Sequence, residues 1–498
     1  MARRLVWKSI MFRLGAIVLG LGLVLLVEGV LRLSGMARPE VSEDAFVGFS
    51  GDRPLFERSD VGKHYETALS RTNYFVRDRF VVAKRPETFR AFFLGGSTVQ
   101  GRPYAIDTAF PKWMQLSLEA SDPSHHWEMV NCGGISYASY RLVSILEECL
   151  DHYQPDLIVL CTGQNEYLEE RTYGAIKEVP KGVRWGQRYF GSWHLYHLLD
   201  RAWDLIRMRE GLDGESSLQT VRPILPSEVD AFLDYENGLE AYHWDPGWRR
   251  GVGNHFEHNI ERMIRLCRKA AVPMLILSPP VNLRSSPPFK SEHRADLDAQ
   301  ELDEWQRCLE QARRNYIGDP DKAVSWLRKA RRIDPQFAET HFALGTMLEG
   351  MGRRQEARAS FLQAKEYDVC PLRMLKSERE SLAALADRFN VPMIDLHAFL
   401  EDQSDFLTLG SDLLVDHVHP SIRGHQLIAG EILKVFAGEG WLNRAPIDST
   451  KEIYQKHLDS LGPTYYLHGK MRLENLMRWT EGRTGGLPIE LKPETKVE

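Results

Sequence analysis

The sequence predicts an α/β fold, a three-layer α/β/α sandwich whose parallel sheet has about five strands with helices on both faces. Three observations carry this expectation. Short apolar runs at Phe89–Leu94, Leu157–Cys161, Met274–Leu277 and Met393–Leu396 are each flanked by Gly or Pro, the pattern of strands buried on both faces. Segments of helical periodicity separate the runs. Gly-containing motifs follow the first runs directly, at the edge of an open α/β sheet where sites form.

Phe89–Leu94 ends at Gly95-Gly96, where a strand stops. A helix around Thr108–Ala120 and a short strand at Glu128–Asn131 follow. Tyr140–Asp151 is amphipathic, with Leu142, Ile145, Leu146, Cys149 and Leu150 on one face. Pro155-Asp156 closes it and opens the strand Leu157–Cys161. Two more helix-then-strand units are Asn254–Ala271 with Met274–Leu277, and Leu375–Phe389 with Met393–Leu396. The borders that result are 1–37 for an anchor or signal segment, 38–88 for a polar stalk and lead-in, 89–300 and 372–442 for the two parts of the α/β domain, 301–371 for an insertion, and 443–498 for a tail without a motif.

Residues 14–27 are apolar throughout, and the run extends over Ile10–Leu31 if Arg13 and Glu28 lie at the interfaces. That is just long enough to span a bilayer. Arg3, Arg4, Lys8 and Arg13 precede the run's core, so the positive-inside rule leaves the N-terminus in the cytoplasm and the rest of the chain extracytoplasmic, in a periplasm or at the cell surface. A signal peptide cut after Gly35-Met36-Ala37 is one alternative, which exports the chain equally, and a buried helix of a soluble chain is the other, which does not. With 43% hydrophobic and 27% charged residues in 498 the chain reads as globular. A net charge of −6 lacks the basic footprint of a nucleic-acid binder. Cys132, Cys149, Cys161, Cys267, Cys308 and Cys370 form no C-x-x-C pair, so buried thiols are the default, and an extracytoplasmic location permits disulfides that sequence cannot pair.

Within the insertion, Ala323, Leu327 and Ala330 recur 34 residues later as Ala357, Phe361 and Ala364, with Pro335 closing the first copy and Leu344-Gly345 in the second. Period and residue set resemble a tetratricopeptide repeat, in two copies at 304–337 and 338–371, the first weak in its opening helix. An ordinary helical hairpin is the plainer alternative. Such repeats cannot bury their faces alone, so the pair is expected to dock on the α/β domain or on a protein partner.

Four motifs carry chemistry. Phe93-Leu94-Gly95-Gly96-Ser97-Thr98-Val99-Gln100-Gly101 runs a strand into a Gly-flanked turn with Ser97 at its tip. Val99 stands where a G-x-S-x-G elbow has its second glycine, which argues against the α/β-hydrolase family. Val130-Asn131-Cys132-Gly133-Gly134-Ile135-Ser136 opens into a backbone-rich loop, and Gly163-Gln164-Asn165-Glu166 puts a side-chain amide at the same sheet edge. Asp416-His417-Val418-His419-Pro420 precedes a C-terminal helix. A carboxylate three residues before a histidine reaches its Nδ1 and leaves Nε2 to take a serine proton.

In this order the motifs resemble the SGNH (GDSL-type) hydrolase family, over residues 89–168, 254–282 and 375–437, with Pro392–His397 similar to the strand before the family's Asp-x-x-His motif. The resemblance implies that Ser97 is the nucleophile, Asp416 the orienting carboxylate and His419 the general base. It also implies an oxyanion hole built from the Ser97 N–H, a second-motif glycine N–H and the Asn165 side chain. Against the pattern N-x-G-x-x-G, Asn131 and Gly133 match, but Ser136 stands where the oxyanion glycine belongs. Its N–H serves unless the loop needs positive φ, in which case Gly134 takes the role. No cofactor or metal is implied. His417 beside His419, and His255 with His258, lack a carboxylate or cysteine cluster, and a helical surface explains the second pair.

Three functions are open: hydrolysis of an ester, such as an acyl group on an envelope glycan or a lipid; O-acyl transfer to a sugar hydroxyl; and a non-catalytic repeat scaffold. The aromatic- and arginine-rich stretch from Trp185 to Trp248 is expected to shape the cleft or a lid.

Overall fold

Alternation along each strand sends successive side chains to opposite faces, and in this chain both faces are apolar. The computed structural model describes residues 2–34, 48–50, 53–59, 61–169, 193–195, 198, 224–226, 228–235, 237–442 and 450–483. They divide into one unit of Met1–Phe49 with Arg171–Leu225 and another of Ser50–Glu170 with Pro226–Glu498.

In the second unit, Thr88–Gly95 (β1), His126–Gly133 (β2), Leu157–Cys161 (β3), Met274–Ser278 (β4) and Met393–Asp395 (β5) form a sheet in the order β5-β4-β3-β1-β2. Every adjacent pair is parallel. Helices Phe110–Ser121 (α1), Ser139–His152 (α2), Pro246–Lys269 (α3), Lys376–Arg388 (α4) and Ile422–Gly438 (α5) cover it. Ala91, Phe93, Val159, Leu275 and Leu277 share a core with Trp113 and Leu118 of α1 and Ile428, Ile432 and Phe436 of α5. The alternate residues Phe92, Leu94, Ile158, Leu160 and Ile276 are buried on the opposite face, where α2 packs on α3 and α3 on α4. Burying one such side chain contributes about 1.5–3 kcal/mol. The predicted α/β/α layering is thus present.

Helix α3 begins eight residues before the expected Asn254, at Pro246, because the Asp245 carboxylate accepts from the N–H groups of Gly247 and Trp248 and caps it. His255 on this helix is buried and stacks on Tyr140 at 5.5 Å. This corrects the expectation of a surface position for that residue.

Of the expected stalk and lead-in over 38–88, the described part from 53 onward is corrected. Phe56–Arg58, His64–Thr67 and Arg79–Val81 form a three-stranded antiparallel sheet. Phe80 meets Phe56 edge-on at 5.1 Å and Phe92 of β1 at 5.4 Å. Arg90 of β1 is buried, donating Nε to Glu128 at 2.5 Å and Nη2 to the Val81 carbonyl at 2.7 Å. A guanidinium is tolerated there because each of these donors meets an oxygen. The tail from 443 likewise contains structure: helices Lys451–Ser460 and Pro463–Arg483. Tyr454 packs on Trp113 at 4.7 Å and shares a 2.9 Å hydrogen bond with Ser117.

The insertion is four helices, Ala299–Asn315, Pro320–Ile333, Ala338–Gly350 and Arg354–Tyr367. The weakly signalled opening helix forms, started by a capping box of Asp298 and Glu301. Gly345 lets the second pair close, since a Cβ there would lie 2.7 Å from the Phe361 ring. The insertion docks on the α/β part. Asp368 accepts from the N–H groups of Phe289 and Lys290 at 2.9 and 3.1 Å and pairs with buried Arg373 at 3.1 Å.

In the first unit, Ala2–Ser34 is one 33-residue helix. Among the described residues no helix is long and apolar enough to cross a membrane, and several side chains of the Ile10–Leu31 run lie outside those residues. Most of the Trp185–Trp248 stretch before Ile224 lies outside them as well. All six cysteines are buried and unbridged.

One stability prediction comes from the insertion. Glu339 is buried, its Oε1 has no partner among the described residues, and burial pushes its carboxyl up to about 8, with Arg313 opposing. Between the ordinary value of 4.5 and about 8 the folded state therefore holds a proton that the unfolded state has lost. Stability falls with rising pH across that window. Glu339→Gln is expected to remove this component of the fall, so that in urea denaturation its advantage over wild type grows from pH 5 to pH 8 on the order of a few kcal/mol.

Candidate active site

The register of the sheet assembles the site. Gly95 at the end of β1 lies beside Gly133 of β2 and Cys161 of β3, so the segments following these three strands emerge together. From Gly96 the chain turns at once into a single helical turn, Ser97–Gln100. Close packing demands glycine here. A Cβ on Gly96 would lie 2.6 Å from Asn165 Nδ2, and one on Gly133 would lie 2.2 Å from the Gln100 nitrogen. Polar ties hold the turn. Asn131 Nδ2 donates to the Val99 carbonyl at 2.8 Å, and Gln100 Nε2 donates to the carbonyls of Gly133 at 3.1 Å and Tyr74 at 2.8 Å.

Across the sheet edge, the loop before α5 brings a carboxylate and an imidazole to Ser97. His419 Nε2 lies 2.7 Å from Ser97 Oγ, and His419 Nδ1 lies 2.6 Å from Asp416 Oδ2. Asp416 Oδ1 accepts from the N–H groups of Val418 and His419 at 2.9 and 2.7 Å. Burial opposes the charge on Asp416, yet His419 and His417 beside it hold its carboxyl well below the usual carboxylate range. An ionised Asp416 fixes the proton on His419 Nδ1 and turns the lone pair of Nε2 to the serine. Asn282, which sequence reasoning missed, supports the loop. Its Nδ2 donates to the Asp416 carbonyl at 2.8 Å and its N–H to the His417 carbonyl at 2.9 Å. It follows β4, which was its only signal.

His425 is not a second base. It is buried and stacked on Phe110 at 6.0 Å, and burial, then the neighbouring His419, lower it to about 3.

The oxyanion side corrects one expectation. The Gly134 N–H donates to the Gly95 carbonyl at 2.9 Å, and a Cβ on Gly134 would lie 2.7 Å from both Phe75 and Tyr137. Gly134 is therefore a packing residue, with its N–H engaged. Ser136 does take positive φ, +61°, and no hydrogen bond among the described residues engages its N–H. The loop keeps the register of the pattern and puts a serine through a conformation that favours glycine, at a cost on the order of 1–2 kcal/mol. Asn165 Nδ2 donates one hydrogen to the Tyr137 carbonyl at 3.0 Å. Its second hydrogen remains for a ligand. Among the described residues, no group of His, Cys, Asp and Glu is placed to hold a metal ion.

The arrangement is a Ser-His-Asp triad on the edge of a parallel sheet. No protein-family model matches the chain, and no curated protein matches it. Among solved structures it is similar to the acetylxylan esterase Axe2 from Geobacillus stearothermophilus, at 14% identity and a TM-score of 0.31, covering 71% of this chain and 95% of that one. It is also similar to a lipolytic protein of the G-D-S-L family from Desulfitobacterium hafniense DCB-2, at 13% identity and a TM-score of 0.29, covering 70% of this chain and 98% of that one. Superpositions this loose assign no residue a role.

Four outcomes are expected. Asp416→Asn lowers kcat on an ester substrate by about 10³–10⁴, and Asn165→Ala by about 10²–10³, measured as initial rates. Because Asp416 titrates below its ordinary value of 3.8 when folded, its stabilising contribution is present above that value and is lost as pH falls through the folded one. The wild-type stability advantage over Asp416→Asn therefore holds at neutral pH and shrinks in strong acid, as read by denaturation at a series of pH values. Ser136→Gly, which relieves the positive φ and keeps the N–H, is expected to retain activity.

Proposed function

We propose that this chain is a serine esterase of the SGNH type, acting on a carboxylic ester through an acyl-enzyme on Ser97. The observation that carries the reading is the continuous hydrogen-bonded relay from Asp416 through His419 to Ser97, with distances of 2.6 and 2.7 Å. Ser97 Oγ attacks the ester carbonyl while His419 Nε2 takes its proton. The tetrahedral oxyanion is met by the N–H groups of Ser97 and Ser136 and by the second hydrogen of Asn165. Collapse expels the alcohol, which leaves with the proton held on His419. A water then attacks the acyl-enzyme, with His419 again taking and returning a proton, and releases the acid.

An acyl group on an envelope glycan or a lipid is the substrate class that fits an exported enzyme. The helix Ala2–Ser34 is proposed to anchor the catalytic part outside the cytoplasm, a reading supported by Arg3, Arg4, Lys8 and Arg13 and by the apolar run that follows. A purely scaffolding role is disfavoured by the complete triad.

The test uses the full-length protein in detergent with p-nitrophenyl acetate. Wild type is expected to exceed Ser97→Ala by at least about 10³-fold, and a fluorophosphonate probe is expected to label Ser97 in peptide mass spectrometry. Wild-type turnover no faster than that of Ser97→Ala would end the reading. Acetylated sugar formed in the presence of an oligosaccharide acceptor would identify the enzyme as an O-acyltransferase instead.

A further inference from the structure

The helix Pro463–Arg483 brings a second cation to the segment that follows the nucleophile. Arg102 closes the Ser97 turn, its N–H donating to the Ser97 carbonyl at 3.1 Å. Its Nε is buried and has no hydrogen-bond partner among the described residues. Arg472 donates Nη1 to the carbonyls of Tyr104 and, at 3.4 Å, Pro103. The helix is held in place by Tyr465, which stacks on Tyr104 at 6.1 Å and shares a 2.8 Å hydrogen bond with Thr108. Gly469 lies directly against the Tyr104 ring.

Arg472 therefore sets its guanidinium against the backbone that directly follows Arg102. Among the described residues, no ion pair includes Arg102 or Arg472. Burial and then Arg472 lower the proton affinity of Arg102, while the Asp416 carboxylate raises it. That carboxylate is already committed, one oxygen to His419 Nδ1 and the other to the N–H groups of Val418 and His419. Like charges gathered in a partly desolvated place are costly unless an anion joins them. The guanidinium fork suits a carboxylate or a phosphate.

We propose that Arg102 and Arg472 form an anion subsite beside Ser97, so that the substrate is an acidic O-acylated glycan whose uronate carboxylate or sugar phosphate sits between the two arginines. This rests on the esterase reading and narrows its substrate class. Arg472 is exposed and Arg102 is partly buried, so the anion would enter past the C-terminal helix and fix the glycan relative to the nucleophile. Both arginines act on binding and orientation and neither handles a proton.

The experiment compares three esters with the full-length protein in detergent: an O-acetylated uronic-acid oligosaccharide, an O-acetylated sugar phosphate and a neutral O-acetylated xylo-oligosaccharide. Wild type is expected to prefer one of the acidic esters. In Arg472→Gln, whose exposed position spares the fold, and in Arg102→Gln, that preference falls about tenfold, mainly through KM. Arg102→Lys recovers part of it, and high salt weakens the wild-type preference. Equal losses on acidic and neutral esters, or no wild-type preference, would overturn the subsite. A second readout needs no turnover: inorganic phosphate and a non-acetylated uronic-acid oligosaccharide are titrated by calorimetry into Ser97→Ala and into Ser97→Ala with Arg472→Gln. Binding that weakens in the double variant supports the subsite and tells carboxylate from phosphate, and binding of neither probe overturns it. If all three esters are left intact by wild type while an anion still binds through Arg472, the esterase reading fails and the subsite stands. Ser97-dependent turnover without anion preference fails the subsite alone.

Discussion

The parallel register of β1 between β2 and β3 is the constraint on which the site depends. It sets Gly95 beside both Gly133 and Cys161, so the serine turn, the Asn131 loop and the Asn165 loop leave the sheet within reach of one another. A sheet whose strands run the same way offers one edge where all strands end, and loops there converge without further design. The packing is tight enough that two glycines carry it. Gly96 clears the Asn165 amide and Gly133 clears the Ser97–Gln100 turn.

Electrostatics then finish what register begins. Asp416 is buried, which would favour its neutral form, and stays ionised because four groups face it: two backbone N–H groups and the rings of His419 and His417. The same burial keeps His425 neutral and out of the chemistry. Two histidines on one short stretch thus have different surroundings: a carboxylate stands beside His419 and none is bonded to His425 among the described residues.

Segments with no catalytic motif hold these parts still. Tyr74 accepts from Gln100 on one side of the Ser97–Gln100 turn, and the helix from Pro463 packs on the segment following it. The polar composition of 53–81 hid its sheet, because its strands are three or four residues long and bury only scattered aromatics such as Phe56 and Phe80. The C-terminal helices were hidden for a related reason: few of their side chains are buried, Tyr454 among them, so periodicity is faint.

The sequence by itself determined the strand–helix alternation and the identities of Ser97, Asn165, Asp416 and His419, since buried strands must be apolar and the chemistry demands those residue types at those strand ends. Tertiary structure alone decided the details that depend on contacts between distant segments. It took the Gly134 N–H for the Gly95 carbonyl, put Ser136 at positive φ, brought Asn282 behind the Asp416 loop and set Arg472 against the Tyr104 carbonyl. A hydrogen-bond partner hundreds of residues away leaves no local pattern, because hydrogen-bond competition is settled only when the whole core has packed.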